Sequence, residues 1–291
     1  MKIIKYFLEF IIIISLFCIF KIVGLKNASN LGSVLGKIFG PLFRSRNITQ
    51  QNIEIGLGKV DKKKQNEIIN NMWSNIGRTF AEYVFLKDFK FNKIDFDYIK
   101  INGANYLNEI KKSNEPVIFY SGHFANFELM AMELDKSGIK TAAIYRPLNN
   151  FFLDPILQYW RMKYVCPNYI QKGRMGIREI ISRINNGYSI ALMVDQRISE
   201  GPRTLFFNKP AHTTTIPAQI ALKYNCRLVP ISLERKKGLD FEMNIHEPYK
   251  IQKTGENEKD LKDITLKINS EIEKMILKNP TQWIWSHNRW K

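Results

Sequence analysis

A chain of 291 residues with 45% apolar and 12% aromatic side chains is too rich in core formers to be disordered, and it suits one large α/β domain with an added anchor. Lys and Arg outnumber Asp and Glu 44 to 27, a formal charge of +17, which points to an anionic partner: nucleic acid, phosphorylated small molecules, an acidic carrier protein or an acidic leaflet. The three cysteines, Cys18, Cys166 and Cys226, are odd in number and lack CxxC spacing, which argues against a disulfide framework or a zinc site and for a reducing compartment.

The first 25 residues are apolar except for Lys2, Lys5, Glu9 and Lys21, and only the stretch from Phe10 to Phe20 is free of charge. That core is short for a crossing of about 20 residues, but charges near its ends can snorkel. No A-x-A-like site follows it. A retained membrane helix is expected over residues 1–25, with an interfacial helix and a cleaved signal as the alternatives. Next, "LGSVLGKIFGPLF" sets Gly32, Gly36 and Gly40 four apart, a small-residue stripe for close helix contact on a helix expected to end at Pro41. "GSVLGK" is one residue short of a phosphate loop, and Ile38 stands where that loop needs Ser or Thr.

From residue 66 the positions Ile68, Ile69, Met72, Trp73, Ile76, Phe80 and Val84 recur at helical spacing. Apolar runs at 116–121, 140–145, 188–194, 227–233 and 240–246 then alternate with helical patterns at 126–137, 150–161, 174–186, 216–225 and 258–277. Such alternation predicts an α/β fold, a largely parallel or mixed sheet covered by helices. With no repeat or long linker, the expected division is an anchor over 1–25 and one domain over 26–291.

Ligands gather beyond the carboxyl ends of strands in open α/β sheets, so the polar residues there come first. In "VIFYSGHFANFELM", residues 117–130, an apolar run ends at Ser121, Gly122 and His123, and Glu128 follows where helical spacing begins. A loop imidazole can take a proton from an attacking hydroxyl and return it to a leaving group if a carboxylate fixes its tautomer. With Asn126 as helix cap, Glu128 falls in the first turn, where it can converge on His123. On spacing alone the pair reads more readily as a loop histidine and a residue complementing the helix dipole.

Beside "SGHFANFE" stand "YRPLNN", "ALMVDQ", "FFNKPAHTTTIPAQIALKYNCRLVP" and "PTQWIWSHNRWK". In this order the motifs resemble the lipid A biosynthesis acyltransferases, from about residue 30 to the end. The resemblance implies a glycerophosphate-acyltransferase-like fold and an O-acyltransferase without a metal or cofactor. It implies transfer of a fatty acyl chain from acyl carrier protein to a hydroxyl of a lipid A precursor in lipopolysaccharide assembly. By the same resemblance, His123 is the general base, Glu128 its orienting carboxylate, and Arg146 a contact to phosphate or to oxyanion charge. Asp195 and Gln196 match a family "DQ" that shapes the site or binds sugar. Lys172, Arg174 and Arg178 match a basic segment that meets phosphate or is a solvated face.

The expected place is the bacterial inner membrane, with the domain on the cytoplasmic side. Two other readings stand beside this one: an acyltransferase for a glycerophospholipid, ornithine lipid or glycolipid, and a basic surface protein without catalysis. For nucleic acid there is neither zinc-finger spacing nor an RNA-binding aromatic motif. "SEGPR", at 199–203, mimics an E-G-x-R element of the glycerophosphate acyltransferases but falls in a variable loop and is read as coincidence. For Trp283, Trp285, Trp290, His287 and Arg289, packing on the sheet is expected, with interfacial anchoring second.

Overall fold

The computed structural model describes residues 2–92, 98–198 and 201–291, the Arg174 side chain excepted. Ser199 and Glu200 of the E-G-x-R mimic lie outside these residues; Arg203 opens a short strand.

Helix α1 (Lys2–Val23) stops at Gly24, whose φ of 80° suits glycine and turns the chain into α2 (Leu25–Phe43). Pro41 does not end α2, contrary to the expectation from sequence; two more residues follow it. Proline lacks the N–H that would bond the Lys37 carbonyl, and the helix closes two residues later. Helices α3 (Arg46–Leu57) and α4 (Lys62–Glu82) start on Ser45 and Asp61, whose side chains accept from the amides of Ile48 and Lys64. The glycine stripe meets α4 directly: a Cβ on Gly32 or Gly36 would fall on the backbone at Gly77 or Trp73, and one on Gly40 on the Trp73 ring. Small residues let these two helices cross backbone to backbone.

After α5 (Leu86–Lys90) the chain lays down β1 (Ile99–Asn102), α6 (Ala104–Ser113), β2 (Val117–Ser121), α7 (Glu128–Lys136), β3 (Thr141–Tyr145) and α8 (Asp154–Trp160). A π-helical turn, Arg161–Val165, leads to β4 (Tyr169–Gln171), α9 (Arg174–Asn185) and β5 (Ser189–Met193). The hairpin β6 (Arg203–Phe206) and β7 (Lys209–His212) precedes α10 (Ile216–Tyr224), β8 (Arg227–Lys237), β9 (Asp240–Ile245) and α11 (Asn257–Lys278).

Among the described residues, seven strands form one sheet in the order β1-β9-β8-β2-β5-β3-β4, parallel except where β8 meets β9. The mostly parallel α/β sheet covered by helices is thus the architecture expected from the alternating runs. Strand β2 is buried at every position, and its alternation serves two cores. Val117 and Phe119 pack with α5 and α7, while Ile118 and Tyr120 pack with α10, α11, Trp283 and Trp285. Helix α1 lies against the rest of the chain, packing Phe7 and Phe10 against Phe152, and Phe17 against Phe80 and Trp160.

Candidate active site

His123 stands just past the carboxyl end of β2, in a loop braced by α4. Ala125, buried with φ of 45°, adopts the left-handed conformation that costs a non-glycine residue roughly 1–2 kcal/mol. Its carbonyl accepts from Asn75 Nδ2 at 3.1 Å and Thr79 Oγ1 at 3.0 Å, which helps hold the bend. Asn126 does not cap α7 as expected. It donates instead to Glu82 Oε2 at 2.9 Å, and Arg235 grips both oxygens of that buried carboxylate. Asn75, Thr79 and Glu82 follow helical spacing along one side of α4, a polar stripe that the apolar period of this helix conceals.

The carboxylate on His123 is Asp195, not Glu128. Asp195 Oδ1 accepts from Nδ1 at 2.7 Å, and Oδ2 accepts from the His123 amide at 2.9 Å and from Trp283 Nε1 at 2.8 Å. The reason is sheet register: β2 and β5 are parallel neighbours with Ser121 opposite Met193, so the residues two positions beyond each meet. Burial opposes the charge of Asp195, but the His123 ring and amide and the Trp283 indole outweigh it and hold the carboxyl down at about 2. Asp195, with a side chain 2% exposed, is too enclosed to bind sugar. Gln196 instead lines the cavity, half-buried, its amide nitrogen 3.4 Å from His123 Nε2.

Glu128 turns the other way. It accepts from Tyr83 Oη at 2.5 Å and from Arg161 Nε and Nη2 at 2.9 and 2.6 Å. Burial pulls the Arg161 guanidinium down, but Glu128 more than reverses this and holds it above its ordinary value. Burial, and then Glu128, push the Tyr83 hydroxyl well up.

His123, Glu128 and Arg161 border one cavity of about 490 Å³ between the sheet and α7. Phe119, Ala191, Ala143 and Tyr169 form one row across β2, β5, β3 and β4 on its sheet side, and the alanines leave the space that larger residues would fill. Met130 and Leu134 of α7, with Phe127 just before it, close the cavity from the other side. Arg146, Lys172, Gln196 and Arg197 add polar lining. Lys172 is lowered by burial and then by Arg146, so the two cations crowd each other. Arg178 lies exposed on α9, away from this lining, and the Arg174 side chain lies outside the described residues. Arg197 follows the "DQ" pair at the same strand end, and the sequence assigns it no role. Its amide donates to His287 Nε2 at 2.9 Å, and its Nε is buried with no partner among the described residues.

The C-terminal aromatics are packed rather than laid out as an anchor. Trp283 and Trp285 are buried in a cluster with Phe206 and Trp290, and Arg289 donates to the His212 carbonyl and Thr213 Oγ1.

The family model described as "Bacterial lipid A biosynthesis acyltransferase" matches residues 1–291. A lipid A biosynthesis acyltransferase of Haemophilus influenzae is 25% identical over 277 residues, 88% of this chain and 83% of the relative. The lauroyltransferase of Escherichia coli is 22% identical and its palmitoleoyltransferase 23%, each over 90% of this chain and 84% of the relative. With the whole chain matched, and the ordered motifs now gathered round one cavity, the protein belongs to the bacterial lipid A biosynthesis acyltransferases.

Proposed function

We propose that the chain moves a fatty acyl group from acyl carrier protein to a hydroxyl of a lipid A precursor, with His123 as general base. The observation that carries this is the His123 ring, tied through Nδ1 to a buried carboxylate while Nε2 lies on the cavity side, touched there by the Gln196 amide at 3.4 Å. In this tautomer Nε2 takes the acceptor's proton as the hydroxyl oxygen attacks the thioester carbonyl. The tetrahedral intermediate then collapses, the carbon–sulfur bond breaks, and the imidazolium returns the proton to the departing thiolate.

The remaining roles follow from place and charge. The apolar floor under Ala143 and Ala191 suits an acyl chain, and Arg146 with Lys172 suits phosphate on the acceptor. Glu128 serves the reaction by holding Arg161 at the cavity wall, where a fixed cation can meet developing negative charge. Exposed Phe7, Leu8, Ile11 and Ile12 on α1, with Phe39, Leu42 and Phe43 on α2, form the face we assign to the inner membrane. Phe151 and Phe152 reach that face from the segment after Arg146, so the leaflet would lie near the cavity entrance. The domain is assigned to the cytoplasmic side, where the carrier protein is found.

Lipid A mass analysis tests the reading. A strain lacking the gene should lose one acyl chain, regain it with the parent gene, and fail to regain it with His123→Ala. An unchanged lipid A profile in the deletion strain would refute it.

A further inference from the structure

We propose that Trp283 is a positioning residue for the reaction, its indole N–H holding Asp195 in the one orientation that serves His123. The proposal rests on the reading of His123 as the base.

Asp195 Oδ2 has two donors on it, the His123 amide and Trp283 Nε1 at 2.8 Å. Between them they fix the plane of the carboxylate, which leaves Oδ1 aimed at Nδ1. Without the indole, Oδ2 keeps one donor, the His123 amide, and the plane of the carboxylate is set by His123 alone, with nothing outside the pair to hold it. The indole itself is held in place. Its ring is buried 4.7 Å from that of Trp285. The preceding residue, Gln282, is joined twice to the Arg235 backbone: Oε1 accepts from its amide at 2.8 Å and Nε2 donates to its carbonyl at 2.7 Å. Farther on, Asn52 Nδ2 donates to the carbonyls of Trp285 and His287 at 2.7 and 2.8 Å. His287 then receives the Arg197 amide, a second tie to the strand end that carries Asp195. Thus the C-terminal segment reaches the base through one side chain and steadies the neighbouring backbone through another.

A buried indole needs some acceptor, and any carbonyl would satisfy it. Trp285 illustrates that simpler case, donating to the Pro280 carbonyl. Trp283 differs because its acceptor is the charged group that fixes the imidazole, and hydrogen bonds to charged groups are the stronger kind. The charges nearest this pair are few. Asp195 has His123 on one side and the Trp283 cluster on the other, with His287 and Arg289 contributed by the C-terminal segment and Arg44 beyond them.

The test compares the full chain with Trp283→Phe, and with Trp285→Phe as the control for simple loss of aromatic packing. A third form carries benzothienylalanine at position 283, which keeps the indole shape and lacks the N–H, in case the phenyl ring leaves the core unfolded. We expect the forms lacking the N–H at 283 to lose about tenfold in kcat with KM changed less than about twofold, as misplacement of a catalytic group predicts. A carboxylate with one donor fewer holds the protonated ring more firmly, so the acid limb of the kcat/KM profile should move to higher pH. In the Asp195→Asn background the same change should cost nothing further, since both then act on one contact. Histidine-selective ¹⁵N spectra should show the His123 Nδ1–H signal displaced, with Trp285→Phe leaving it in place. An unmoved Nδ1–H signal and acid limb would overturn the proposal. The spectra need no turnover, so a parent chain inactive with acyl thioesters would sink the functional reading separately.

Discussion

Asp195 holds His123 by two oxygens at once, Oδ1 on the ring nitrogen at 2.7 Å and Oδ2 on the backbone amide at 2.9 Å, across 72 residues of sequence. The double contact fixes both where the histidine sits and which ring nitrogen keeps its proton. Asp195→Asn should therefore leave the chain folded while offering a donor to Nδ1 and favouring the wrong tautomer. Transfer should fall by at least about a hundredfold, read as kcat with a soluble acyl thioester donor. Retention of more than a tenth of parental kcat would contradict this role.

Glu128 and Arg161 form a buried pair, and cutting one partner leaves the other charge stranded. Glu128→Ala should cost roughly 3–5 kcal/mol of stability in urea unfolding, and Glu128→Ala with Arg161→Met should recover much of that loss. Equal stability of the single and double variants would show that the pairing carries little.

Gly36 lies where α2 crosses α4, against the Trp73 carbonyl and the Gly77 backbone. Neither neighbour is a flexible side-chain end. Gly36→Ala should lower stability by about 1–3 kcal/mol through overpacking, although alanine is the better helix former. A melting temperature at or above that of the parent would show that the crossing yields.

His287 is lowered from 6.5 to about 4, chiefly by burial, and its neutral Nε2 accepts the Arg197 amide. The folded state therefore binds fewer protons than the unfolded one between these values. Stability should be complete above the unfolded value and be lost as pH falls toward about 4. Replacing His287 by Gln should flatten this part of the stability curve, measured by denaturant midpoint at successive pH.

Arg146 borders the cavity and Arg178 does not. Arg146→Lys should reduce kcat although charge is kept, because lysine lacks the planar fork. Arg178→Lys should be silent within about twofold on phosphorylated acceptor. The reverse ranking would place the phosphate contact on α9.

Central strands such as β2 and β5 were legible because parallel strands covered on both faces read as near-unbroken apolar stretches, and β9 by its alternation, with Phe241, Met243 and Ile245 buried. The three-residue β4 and the four-residue strands β1, β6 and β7 were not, being too short or too polar for a periodic signal. The same limit explains the site. His123 stood out at a strand end, and Glu128 seemed its natural partner because it is near in sequence. Strand order, which decides that β5 lies beside β2, leaves no local trace, so the meeting of Asp195 with His123 was hidden. Trp283 was hidden more deeply, since its packing and its hydrogen bond are satisfied by the same buried position.

The most direct measurement is mass spectrometry of the products formed when the purified full chain meets acyl carrier thioester and phosphorylated lipid A precursor. The parent should add one acyl chain and release free thiol in equal amount. His123→Ala, folded by circular dichroism, should form at least about a hundredfold less of both. Equal product from the two chains would contradict the assignment of His123 as the base.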